Sequence, residues 1–203
     1  MRIFSKMQKL LGYNSLQIGQ ITPFGGYDWQ VLDIQNNQAL LLSELVLEKR
    51  PYNTTQTPIT WEQCTLRRYL NNDFYNKLPQ NGKIAQRTIP NNNNQWFGTD
   101  GGNDTTDHIF LLSLDEVVQY FGDSGQLKVK NKSPISWGIE DQFNDKRIAR
   151  DTSGAAAWWW LRSPGKPTYI AASIHRKGYV NVCGYDYDVV GEGGVRPALW
   201  LNL

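Results

Sequence analysis

At 203 residues the chain is long enough for one well-buried core and short for two. Its 21 basic and 19 acidic residues leave a formal net charge of +2, a near-neutral balance that argues against nucleic acid as the main partner, since phosphate binding needs a concentrated basic patch. No apolar run approaches the length of a membrane span, and two cysteines, Cys64 and Cys183, are too few for a metal cluster.

The first eleven residues carry Arg2, Lys6 and Lys9 beside Ile3, Phe4, Met7, Leu10 and Leu11, the pattern of a short amphipathic helix. They lack the continuous apolar segment and small-residue cleavage site of a secretory signal. Residues 1–20 are therefore expected to form an N-terminal arm docked on the protein's own surface or on a neighbouring subunit, with a single domain over residues 21–203. Phe24 to Ile34 reads as a turn feeding a strand, and Asn36-Asn37 makes a tight turn into Ala39–Leu42, so residues 27–42 predict a hairpin. Thr60-Trp61-Glu62-Gln63 has a capping-box pattern with Thr60 as N-cap. The helix it opens carries Leu66, Leu70, Phe74 and Leu78 at i, i+4 spacing and stops before Pro79.

Asn91–Asn94 and the Gly98–Asp104 cluster predict a surface loop; a structural calcium ion is the minority alternative, because the spacing is not an EF-hand and no glutamate closes it. Ser113-Leu114-Asp115-Glu116 is a second capping box. It opens a short helix with Leu114, Val117, Val118 and Phe121 on one face and Gly122 at its end. Leu127 to Ser153 is polar, without a clear period, and predicts irregular connections. Chemistry is thinly represented. His108 and His175 are the only histidines, Cys64 falls among core-facing helix positions, and capping already explains Asp115 and Glu116. There is no phosphate-cradling loop, dinucleotide fingerprint or HExxH, so neither a cofactor nor a catalytic residue is assigned.

From Trp158 onward, two aromatic, apolar blocks bracket a polar middle. Ile170, Ala172 and Ile174 alternate with Ala171, Ser173 and His175, and Val180 and Val182 alternate with Tyr179, Asn181 and Cys183. Period-2 alternation predicts strands with one apolar and one displayed face, turning at Lys177-Gly178. The displayed set is then Ser173, His175, Tyr179, Asn181 and Cys183, extended by Gly184, Tyr185, Asp186, Tyr187 and Asp188. Tyr gives stiff contact area at low entropy cost while Ser, Asn, Asp and Gly give adaptable hydrogen bonds, the alphabet of antibody paratopes.

Trp158-Trp159-Trp160-Leu161-Arg162-Ser163-Pro164-Gly165, the Ala171-Ala172 pair, the Gly-punctuated middle and the closing Gly194-Val195-Arg196-Pro197-Ala198-Leu199-Trp200-Leu201-Asn202-Leu203 together resemble a bacterial and phage family. Its members are the variable proteins of diversity-generating retroelements and their close relatives, on the formylglycine-generating-enzyme branch of the C-type lectin fold. The resemblance implies that a reverse transcriptase copies a template with errors at adenines and that the copy replaces the end of the gene. Asparagine codons changed in this way yield Tyr, Asp, Ser, His, Arg, Cys, Gly and Asn. Ser173, His175, Arg176, Tyr179, Asn181, Cys183, Tyr185, Asp186, Tyr187 and Asp188 fit that set; Lys177 and Glu192 do not.

Neither familiar activity of the fold carries over. The oxidase needs a reactive cysteine pair, and the sugar site of animal lectins uses Glu-Pro-Asn or Gln-Pro-Asp with Trp-Asn-Asp, which this chain lacks. The expectation is therefore an α+β protein of C-type-lectin-like fold, with two helices flanking a small, mostly antiparallel sheet. Its ligand-binding surface, made by residues 166–193, takes a protein ligand, with carbohydrate as the alternative. Trp158 to Leu161 should pack the core beneath that surface, with Arg162 and Arg196 as scaffold. An enzyme on the same fold, a divergent oxidase or hydrolase, and an assembly protein using the Tyr-rich face as a subunit contact are the competing readings. Location is cytoplasmic by default, with cell-surface or phage-particle display as the alternative.

Overall fold

The computed structural model describes residues 16–129, 137–184 and 192–203. The expected amphipathic helix at the N-terminus, and Tyr185, Asp186, Tyr187 and Asp188, lie outside the described residues. The chain opens with β1 (Ile21–Phe24), β2 (Tyr27–Gln35) and β3 (Gln38–Ser43). Between β2 and β3, Asn36 and Asn37 both adopt positive φ, 51° and 58°, the geometry of a two-residue hairpin turn whose twist matches its strands. The predicted hairpin is there, with its register shifted between Val31 and Asp33 by an irregularity in the ladder.

Two short strands, β4 (Leu45–Val46) and β5 (Glu48–Arg50), lead to the first helical region. That region runs through α1 (Thr65–Tyr69), a wide π turn (Leu70–Phe74) and α2 (Tyr75–Lys77). Leu66, Leu70, Phe74 and Leu78 are all buried, as their spacing predicts. The predicted N-cap is wrong. Thr60 spends its carbonyl on a turn, accepting from the backbone N–H groups of Gln63 and Cys64, and the Cys64 side chain caps the helix by accepting from Arg67 N–H. Helix therefore begins after Cys64, and Thr60 to Gln63 only approach it.

Next come β6 (Ile84–Ala85), β7 (Arg87–Ile89), β8 (Thr105–Asp107) and β9 (Ile109–Phe110), then α3 (Leu114–Phe121). At α3 the predicted capping box is complete: Ser113 Oγ accepts from Glu116 N–H at 3.2 Å and Glu116 Oε2 accepts from Ser113 N–H at 2.9 Å. Gly122 ends the helix at φ 123°. The stretch expected to be irregular includes α4 (Asn144–Arg147) and β10 (Ala149–Asp151). Fully buried Arg147 anchors it through an ion pair to Asp141 at 2.9 Å. Finally come β11 (Ala156–Ala157), β12 (Trp159–Pro164), β13 (Ala171–Ile174), β14 (Val180–Asn181), β15 (Gly193–Val195) and β16 (Ala198–Asn202).

These strands make an α+β fold around two main sheets. The six-stranded sheet has the order β1-β2-β3-β16-β6, with β9 also pairing β16, and all its pairs are antiparallel. The five-stranded sheet has the order β14-β13-β12-β15-β5, with β12 and β15 parallel. The C-terminal strand thus returns to the centre of the first sheet, beside the opening hairpin. One hydrophobic cluster runs through both sheets and includes the fully buried rings of Trp29, Trp61, Trp159 and Trp160. Among the described residues, no helix is long and apolar enough to cross a membrane.

Candidate functional site

β12 is buried along its whole length, and its polar atoms are spoken for. Trp160 Nε1 donates to Arg50 O at 3.0 Å, and Trp159 Nε1 to Arg147 O at 3.2 Å. Tyr52 Oη donates to Arg162 O at 2.9 Å while its ring lies 5.8 Å from that of Trp160. Arg162 reaches Glu116, Leu111 O at 2.7 Å and Pro90 O at 3.0 Å, tying α3 to this sheet. Arg196 donates to Ser43 O at 2.9 Å and lies 5.1 Å from the Trp159 ring centroid. Burial depresses its guanidinium to about 10 against its ordinary value. Both arginines are scaffold, as expected. Trp158 is the partly exposed member of its triplet, edge-on to Trp160.

On this platform stands the β13–β14 hairpin. Ser173 pairs with Asn181 and Ile174 with Val180; the chain then reverses through residues 175–178, close to the predicted turn. His175 N–H donates to Tyr179 O at 3.0 Å and Gly178 N–H to His175 O at 2.7 Å. Gly178 holds φ +82°, and a Cβ there would collide with the Asn144 carbonyl, so this turn requires glycine. At the tip the His175 and Tyr179 rings stack at 4.2 Å, 18° from parallel, and His175 Nδ1 accepts from Lys177 N–H at 3.2 Å. Both rings are partly exposed, and Arg176 is exposed beside them.

The proposed displayed face needs correction at three positions. Ser173, Asn181 and Cys183 are 0%, 2% and 1% exposed. Alternation marks a solvated face only when nothing covers it, and here both faces of β13 are buried. Nor is β14 a free edge, because residues 137–139 run along it. Ile139 and Val180 exchange backbone hydrogen bonds at 2.8 and 2.9 Å, and Cys183 N–H donates to Trp137 O at 3.1 Å. Ser173 Oγ has no hydrogen-bond partner among the described residues. Asn181 Oδ1 accepts from Gly184 N–H at 3.0 Å and so closes a local turn over residues 181–184.

Beyond the hairpin, three stretches of chain converge. Lys166 N–H donates to Cys183 O at 2.8 Å, and Gly165 N–H to Ile170 O at 2.7 Å. A Cβ on Gly165 would collide with the Cys183 carbonyl; one on Gly184, at φ +70°, would collide with the Ala171 carbonyl and Ile170. Trp137 and Tyr169, 50% and 43% exposed, adjoin this junction through Cys183 and Ile170. Trp137 carried no usable sequence signal, since it lies in a stretch without period.

The predicted surface loop is there, with Asn92, Asn93, Gln95, Gly98, Asp100, Asn103 and Asp104 exposed, but two of its asparagines point into the protein. Asn91 and Asn94 are buried, at 8% and 1%, and Asn94 bonds Pro164 and Val182. Among the described residues no group of three or more His, Cys, Asp or Glu side chains is placed to hold a metal ion. Cys64 is buried, and desolvation pushes its thiol up to about 12, so it is not a thiolate at neutral pH. His108 stacks on Tyr75 at 4.2 Å, and the neighbouring Asp107 is occupied by Arg67, Trp61 and Thr105.

Residues 36–203 match the profile of a family described as a domain of unknown function (DUF6273), and the chain belongs to that family. The signal recognition particle 54 kDa protein of Halorubrum lacusprofundi is 28% identical over 79 residues, 38% of this chain. That stretch spans only 16% of the archaeal protein's length. No solved structure matches the chain.

Proposed function

We propose that this member of the DUF6273 family is a ligand-binding protein whose contact surface lies at the tip of the β13–β14 hairpin. His175, Arg176 and Tyr179 make that surface, continued in sequence by Tyr185, Asp186, Tyr187 and Asp188. The observation that carries this reading is the stacked His175–Tyr179 pair, partly exposed on a turn whose backbone is fixed by its own hydrogen bonds and by Gly178. Rings held in place before contact lose little freedom on binding, and Tyr and Arg are the residue types that most often dominate protein interfaces. The ligand is accordingly a protein, and the surface does no chemistry.

The scaffold is of C-type-lectin-like type, related to the variable proteins of diversity-generating retroelements. The α+β architecture supports this, with one helical region packed against β9, α3 tied to β12 through Arg162–Glu116, and a C-terminal strand closing beside the first hairpin. Diversification is confined to the hairpin tip and to the segment that follows Gly184 in sequence. Ser173, Asn181 and Cys183 belong to the platform although retroelement mutagenesis could reach their codons. Sequencing the gene across sister isolates tests this. Substitutions should gather at codons 175, 176, 179 and 185–188, with an adenine-bearing near-repeat of the same segment downstream. Substitutions spread evenly through 173, 181 and 183, or no near-repeat, would remove the diversification reading.

A further inference from the structure

We infer that Asn94 is a positioning residue for the binding surface, fixing residues 182–184, through which the chain leaves the hairpin; the inference rests on the binding role proposed above. The Asn94 side chain is 1% exposed and joins three separate stretches of chain. Nδ2 donates to Pro164 O at 2.8 Å and to Val182 O at 2.9 Å, and Oδ1 accepts from Trp96 N–H at 3.0 Å. Its own backbone is held equally firmly. Asn94 N–H donates to Thr99 O at 2.9 Å, and Asn94 O accepts from Gly98 N–H at 2.7 Å. Thr99 Oγ1 in turn donates to Lys166 O, beside the Lys166–Cys183 backbone bond.

The need for such a clamp follows from the sheet order. Pro164 ends β12 and Val182 follows β14, and β13 lies between those strands. Carbonyl oxygens only accept, so these two cannot satisfy each other and need a donor placed between them. A primary amide presents two N–H donors and one acceptor in one plane, which suits two carbonyls and one amide N–H. Aspartate offers no donor when ionised, and alanine offers none at all. The close passages at Gly165 and Gly184 leave little slack. Where Val182 O is held, residues 182–184 are therefore held too.

The test is backbone amide hydrogen exchange on the full chain without any ligand, comparing wild type with Asn94→Ala and Asn94→Asp. Protection at Lys166, Cys183 and Gly184 should fall by roughly tenfold or more in Asn94→Ala, while amides of β3 and β16 stay within about twofold. Asn94→Asp should behave like Asn94→Ala when its carboxylate is ionised and regain protection on acidification, when the protonated group can donate one hydrogen bond. A purely structural loss gives no such rescue. Should Asn94→Ala fail to fold, Asn94→Asp compared across pH supplies the same contrast. Unchanged protection at the three amides, loss spread evenly over β3 and β16, or no recovery of Asn94→Asp in acid would each overturn the assignment. Since no ligand enters the measurement, its failure leaves the binding proposal untouched.

Discussion

Ser173 and His175 lie two residues apart in one alternating pattern, yet Ser173 is fully buried and His175 partly exposed at the turn. Their substitutions should separate accordingly. His175→Ala and Arg176→Ala should change unfolding free energy by about 0.5 kcal/mol or less. Asn181→Ala removes the acceptor for Gly184 N–H and should cost about 1–3 kcal/mol. Ser173→Ala should be neutral or slightly stabilising, because it deletes a buried hydroxyl that has no partner among the described residues. Trp160→Ala should cost about 3–5 kcal/mol. Urea unfolding of each variant checks this ranking. Asp141 supplies a pH-dependent term. Burial raises its carboxyl pKa, but hydrogen bonds from Arg147, Ser124 and Phe143 N–H lower it more, so the folded value lies below the ordinary 3.8. That stabilisation is complete above the unfolded value and is lost as pH falls through the folded one. Urea midpoints should therefore fall below about pH 4, and Asp141→Asn should flatten that fall.

Elements governed by local chemistry were legible in the sequence. The β2–β3 hairpin follows from Asn36-Asn37, α3 from the Ser113–Glu116 box, and the core face of the first helical region from its i, i+4 leucines. Elements governed by what lies against them were not. Thr60 has the right neighbours for a cap, but its carbonyl is used by a turn. The asparagine-rich loop has the composition of a surface loop and is largely exposed, but one of its side chains, Asn94, satisfies carbonyls of β12 and of the chain beyond β14. Alternation in β13 gives the strand but not what covers its second face, which comes from distant chain. Of the candidate site, the turn at residues 175–178 and its exposed residues were legible; Trp137 and the Asn94 clamp were not. At this scale, Ser113→Ala should cost about 1 kcal/mol through loss of the cap. Gly184→Ala should cost more, about 1–3 kcal/mol, because it combines positive φ with a collision against Ala171 O. Thermal melts of the two variants test that order.

Across the whole molecule, the rigid framework and the proposed contact surface lie in different places. Buried tryptophans, the Arg162–Glu116 and Arg147–Asp141 pairs and the Asn94 clamp hold two sheets and the base of the hairpin, while exposed positions gather at its tip. An enzyme would place its reactive groups where substrate can reach them. Here Cys64 is buried with its thiol raised to about 12. Iodoacetamide should therefore leave Cys64 and Cys183 unmodified in the folded protein and label both after denaturation, as read by intact mass. Rapid native labelling of Cys64 would return weight to the catalytic alternative.

The central claim is that binding energy resides in the hairpin tip and is separable from the fold. Its most direct test is titration calorimetry of the wild type, and of a variant combining His175→Ala, Arg176→Ala and Tyr179→Ala, against a partner protein isolated on the wild type. Thermal melts of both proteins are recorded alongside. The expected result is a loss of affinity of about thirtyfold or more, since a central aromatic anchor alone is worth about 2 kcal/mol, with the melting temperature within about 3 °C of wild type. Unchanged affinity in the combined variant, or a loss accompanied by a melting temperature far below wild type, would contradict it.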